Sequence, residues 1–82
     1  MKIIINAQEF EVPEAIMVLS AADGSGNVSM TGGEIKNLYR ANSAKRHGFE
    51  LYRIIHTLNA GPIPNDEVVE LKDGDRFNLL EL

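Results

Sequence analysis

Thr31-Gly32-Gly33-Glu34-Ile35-Lys36-Asn37-Leu38-Tyr39 is the stretch that decides the fold. Thr31 and Glu34 stand at capping-box spacing: the Thr hydroxyl accepts from the N3 amide, and the Glu carboxylate reaches back to the N-cap amide. Ile35, Leu38 and Tyr39 follow at i, i+3 and i+4, one apolar stripe, while Lys36, Asn37 and Arg40 fall elsewhere. The spacing predicts a helix over 31–42, ending before a turn at His47-Gly48.

Upstream, Lys2-Ile3-Ile4-Ile5-Asn6 is short and β-branched, and Glu9-Phe10-Glu11-Val12 alternates polar and apolar until Pro13. Together they read as a β-hairpin with Ile3, Ile5, Phe10 and Val12 on one face and Ile4 on the other. Downstream, Phe49 to His56 is a third strand candidate, and Asn59 to Asn65 reads as a loop from its Gly and Pro content. Val68 to Leu71 and Arg76 to Leu82 flank Lys72-Asp73-Gly74-Asp75 and read as a second hairpin, Phe77 and Leu79 sharing one face. Between the first hairpin and the helix, Ala15 to Leu19 suits a short helix with Pro13 at its first position, or an extra strand. Residues 14–30 thus read as an insertion. A hairpin, a helix across its face and further strands make an α+β chain of the β-grasp plan, a mixed sheet on one main helix.

The chain has 82 residues, enough for a single domain over residues 1–82. Hydrophobic residues at 44% and charged residues at 24% argue against disorder. Without cysteine there is no disulfide framework, thiolate metal site or cysteine nucleophile. The apolar runs are too short to span a bilayer and no signal-peptide pattern opens the chain, so it reads as cytoplasmic and not membrane-bound. The net charge of −4 argues against general nucleic-acid binding. Charge is uneven. Ile35 to Arg53 holds five bases and one acid, and Asp66 to Leu82 holds six acids and two bases, a polarity that suits protein partners or simply two solvated faces.

No enzyme motif emerges. His47 and His56 lie in no metal-ligand pattern, and His56, at a strand end, suits a surface or interface role. Gly24-Ser25-Gly26 lacks the third glycine and the feeding strand of a dinucleotide loop. The chain is read as a non-enzyme without a cofactor. One constellation resembles a metal site. With Asp23 counted first, Ser25, Asn27, Ser29 and Thr31 fall at positions three, five, seven and nine and Glu34 at twelve, the ligand spacing of a calcium-binding EF-hand loop. Val28 departs from it, standing where the sharp turn needs Gly. A calcium-dependent module therefore ranks behind a helix cap beside a turn.

Lys2 to Asn6 with Glu9 to Val12, Met30-Thr31-Gly32-Gly33-Glu34-Ile35-Lys36-Asn37-Leu38, and Val69-Glu70-Leu71-Lys72-Asp73-Gly74-Asp75-Arg76-Phe77 resemble the bacterial ubiquitin-like proteins of the multiubiquitin type. The resemblance implies a protein modifier, or its precursor or truncated form, in a bacterial ubiquitination-like pathway linked to antiviral defence. Its partners would be activating (E1-like) enzymes, conjugating (E2-like) enzymes or deconjugating proteases. Relatives of ubiquitin are attached through a terminal glycine pair, whereas the attachment region here, Glu81 and Leu82, still follows the strand pattern. A β-grasp interaction module that is not conjugated is the alternative. Ubiquitin-like domains are read through the outer sheet face, which places Ile4, Leu80 and Tyr52 or Ile54 as neighbours in a partner-binding patch. In the other reading, the insertion folds over that face and buries them.

Overall fold

The computed structural model describes residues 1–22, 24, 27–40 and 48–82. In chain order these form β1 (Lys2–Ile5), β2 (Gln8–Glu11), α1 (Glu14–Ala22), β3 (Val28–Thr31), α2 (Gly32–Arg40), β4 (Phe49–Ile55), β5 (Leu58–Ile63), β6 (Val68–Leu71) and β7 (Arg76–Glu81). The architecture is α+β: a mixed five-stranded sheet in the order β2-β1-β7-β4-β5, a two-stranded sheet β3-β6, and two helices. Among the described strands only β1 and β7 run parallel, with Ile4 beside Arg76 and Ile5 beside Phe77.

The capping box forms as the spacing predicts. Thr31 N–H donates to Glu34 Oε1 at 2.9 Å and Glu34 N–H donates to Thr31 Oγ1 at 3.2 Å. The two glycines between them serve a close approach. Gly32 and Gly33 N–H, orphan donors at the helix start, reach the carbonyls of Glu67 and Asn65 at 2.9 Å each. A Cβ on Gly32 would lie 2.2 Å from the Pro64 carbonyl oxygen, so only glycine lets the helix start there. The expected helix end at Asn42 and the turn at His47 lie outside the described residues.

The β1–β2 hairpin has the expected facing: Ile3 opposes Phe10, and Ile3, Ile5 and Val12 are buried. Phe10 is half-buried and meets Tyr39 of α2 edge to face, with ring centroids 6.1 Å apart. Ile3, Ile5, Ile35, Leu51 and Phe77 are completely enclosed, each contributing roughly 1.5–3 kcal/mol by burial. Leu79 joins them, whereas Leu38 packs only at the margin of the cluster.

Residues 14–30 contain both a helix and a strand. Pro13 precedes α1 as its cap, its carbonyl accepting from Ile16 and Met17 N–H at 3.0 and 3.3 Å. Ile16 and Met17 pack against the core, and Val28 and Met30 of β3 are members of it. The described residues of this segment therefore lie on the α2 side of the large sheet and do not fold over the outer face.

Two expectations are corrected. Asn59 to Asn65 is not simply a loop, because Leu58–Ile63 forms β5 at the edge of the large sheet. Pro62, which has no N–H to donate, is tolerated at such an edge. The ladder to β4 shifts register between Leu51 and Arg53. Nor do β6 and β7 pair as a hairpin. The tight turn exists, with Asp75 N–H donating to the Lys72 carbonyl at 3.0 Å and Gly74 at φ +85°. It carries the chain from one sheet to the other: β6 pairs with β3, and β7 lies between β1 and β4. Ile4 and Asn6 N–H donate to the carbonyls of Asp75 and Phe77, which turns β7 toward β1.

Candidate interaction surface

Alternation along the strands sets which side chains leave the core. On β7, Phe77 and Leu79 point inward, and Arg76, Asn78 and Leu80 outward; on β4, Leu51 points inward, and Glu50, Tyr52 and Ile54 outward. The outer face therefore carries Ile4, Tyr52, Ile54 and Leu80, all four residues singled out by sequence. Ile4, Tyr52 and Ile54 are half-buried and Leu80 is exposed. Both helices pack on the opposite face.

The register divides these four into two pairs. Ile4 lies beside Arg76 across the parallel ladder, and continuing the Arg53–Phe77 pairing by one residue puts Ile54 on the other flank of Arg76. Leu80 opposes Glu50 and is diagonal to Tyr52, which opposes Asn78. Arg76 and Leu80 are four strand residues apart, about 13 Å, so Ile4 and Leu80 are not neighbours.

Polar groups join the pairs. Tyr52 Oη donates to Glu50 Oε2 at 2.5 Å, and this bond, with lesser help from desolvation and the carboxylate charge, raises the phenol's pKa. Asn78 Nδ2 donates to Asn59 Oδ1 at 2.9 Å, joining β7 to β5 across β4. Arg76 Nη2 donates to the His56 carbonyl at 2.8 Å, and the exposed His56 sits in the β4–β5 turn at φ +59°. The outer face thus interleaves polar groups with Ile4, Ile54, Tyr52 and Leu80, Arg76 standing between Ile4 and Ile54.

Behind the sheet edge, Lys36 of α2 is buried, its Nζ donating to the Phe49 carbonyl at 2.8 Å. Burial lowers its pKa, and the Glu50 carboxylate partly offsets that. Of the two residues expected to form an attachment region, Glu81 is the last residue of β7, and Leu82 N–H donates to the Gly48 carbonyl at 2.7 Å.

Of the calcium candidates, Asp23 and Ser25 lie outside the described residues. Asn27 is exposed, Ser29 and Thr31 lie on β3, and Glu34 is held in the capping box. Among the described residues, no three His, Asp or Glu side chains gather around a point that could hold a metal. No helix of the described residues is long and apolar enough to cross a membrane.

Sequence reasoning missed a second surface, a cleft of about 270 Å³ between the β4–β5 tip and β6. Reading Asn59 to Asn65 as a loop removed one wall of it. The exposed Val68, alternating with buried Val69, was the available signal. Compared with known proteins, the chain matches no family model, no curated protein and no solved structure.

Proposed function

We propose that this chain is a ubiquitin-like β-grasp protein that acts by being bound by other proteins, as a modifier or its precursor in a bacterial ubiquitination-like pathway. The reading is carried by the sheet order β2-β1-β7-β4-β5, with its central parallel pair and α2 on one face, while Ile4, Tyr52, Ile54 and Leu80 are left on the other. The sequence resemblance adds the partner class, activating, conjugating or deconjugating enzymes of the ubiquitin type.

Binding to a ubiquitin-activating-type enzyme encoded in the same genome, measured by calorimetry, tests this. Ile4→Glu and Leu80→Glu should each weaken binding about tenfold, because a charge in the patch loses apolar contact and must be desolvated on docking. Full affinity in both variants would refute the outer face as the docking surface.

The second reading is an interaction module that is not conjugated, and the Leu82 N–H bond to the Gly48 carbonyl favours it. Glu81 at the end of β7 and Leu82 beside it would have to detach from the sheet and from Gly48 for this region to enter an active site. Intact mass after incubation with the activating enzyme and ATP separates the two: an adduct supports the modifier, and binding without an adduct supports the module.

A further inference from the structure

The cleft between the two sheets is separate from the outer face and has its own chemistry. Ile55, Ala60, Ile63 and Val68 wall it, and Glu67 and Glu70 stand at its rim.

Among the described residues, the backbone of β6 is open on that side except at the Glu70 carbonyl. Gly32 N–H donates to the Glu67 carbonyl, Thr31 N–H turns instead to Glu34, and the Glu70 carbonyl accepts from Arg53 Nη2 at 3.1 Å. In an antiparallel ladder the bonding residues alternate. Glu67, Val69 and Leu71 therefore face β3, and Val68 and Glu70 direct their N–H and C=O groups into the cleft.

The flanks of this edge are apolar. Ile55, its cross-strand partner Leu58, and Val68 are 51%, 73% and 66% exposed. A free strand edge beside apolar side chains is a template for another strand.

Charge specifies which strand. Arg53, the cation nearest the cleft, is held by Asp75 and lies over the Phe77 ring. The carboxylates of Glu67 and Glu70 have no ion pair among the described residues, so the rim is net negative.

We propose that the free edge of β6 binds an extended segment of a protein partner by strand addition, a segment that alternates apolar with Lys or Arg side chains. The apolar set enters the cleft against Ile55, Ala60 and Ile63. The basic set lies beside Glu67 and Glu70. Main-chain bonds to the Val68 N–H and C=O and to the Glu70 N–H fix the register, beside the Glu70 carbonyl that Arg53 already holds.

The test is a nuclear magnetic resonance titration of the 82-residue chain with a blocked, alternating Val-Lys decapeptide. The expected result is slowed amide exchange at Val68 and Glu70, with binding at least tenfold weaker in the Glu67→Gln/Glu70→Gln double variant. Both glutamates are exposed, so that variant keeps the fold. A matching Val-Glu peptide should not bind. Equal binding of the Val-Glu peptide, shifts centred on Ile4 and Leu80, or charge-dependent binding without amide protection at Val68 and Glu70 would each overturn the proposal. So would a dimer of this chain, formed without peptide, that occupies the same edge.

Discussion

Asn6 closes the seam between β1 and β7 with its side chain acting as a peptide group. Its Nδ2 donates to the Leu79 carbonyl at 3.1 Å, and its Oδ1 accepts from Leu79 N–H at 2.8 Å. The parallel ladder thus extends past the point where the Asn6 backbone, at φ +50°, has turned toward β2. Asn tolerates that conformation better than most residues.

Asn6→Ala removes both bonds and leaves the Leu79 peptide group short of partners in a part-buried seam. The expected cost is about 1–3 kcal/mol. Urea unfolding should show a lower midpoint with an unchanged slope, and Asn6→Asp, which keeps only the acceptor, should fall between.

Ile35 is fully enclosed, whereas Leu38, on the same helix stripe, is only partly buried. Ile35→Ala should cost roughly 2–5 kcal/mol, enough to threaten a domain of this size. Leu38→Ala should cost clearly less, since an edge site can refill with solvent or relax. Thermal melts of the two variants check the order, and a reversed order would contradict the packing described for α2.

Burial depresses the Lys36 pKa below its ordinary 10.5. Between the depressed folded value and 10.5, the unfolded chain binds the proton and the folded chain does not. Stability from this group is therefore fully present above the unfolded value and is lost as pH falls through the folded one. The wild type should gain stability relative to Lys36→Met as pH rises through that window. Parallel denaturation curves at a series of alkaline pH values measure the difference.

Tyr52 has the opposite sign. Its phenol donates to Glu50, so the folded pKa lies above 10.0, and the bond's contribution is fully present below that value and lost as pH rises through the folded pKa. Spectrophotometric titration of the folded chain should show one tyrosine ionising late, and Glu50→Gln should move that transition to lower pH.

The parts of the fold legible in sequence are those fixed by neighbours along the chain. The capping box needs only Thr31 and Glu34, and the first hairpin only the β-branched run Ile3 to Ile5 and the alternation from Glu9 to Val12. β5 escaped because Gly61-Pro62 reads as a loop wherever both flanks of a strand must be bonded, and β5 is bonded on one flank only. The β6–β7 pairing failed for a different reason. The Lys72 to Asp75 turn permits a hairpin, and only the distant β1 and β3 decide otherwise.

The candidate surface divides the same way. Alternation alone sends Ile4, Tyr52, Ile54 and Leu80 outward. Their spacing depends on the β1–β7 register, which Ile4 N–H and the Asp75 carbonyl help to fix from opposite ends of the chain.

The central position of the β1–β7 pair has a consequence for how the molecule is made. Ile4 and Arg76 are 76 − 4 = 72 residues apart, yet they lie side by side in the middle of the sheet. During synthesis, β1 and β2 leave the ribosome well before β7, and a two-stranded hairpin is marginal on its own in water. β4 and β5 follow as a second one, and the two cannot join until Arg76–Glu81 has emerged to lie between them. Such non-local closure makes folding slow for the chain's size, and the nascent halves leave open strand edges in the meantime.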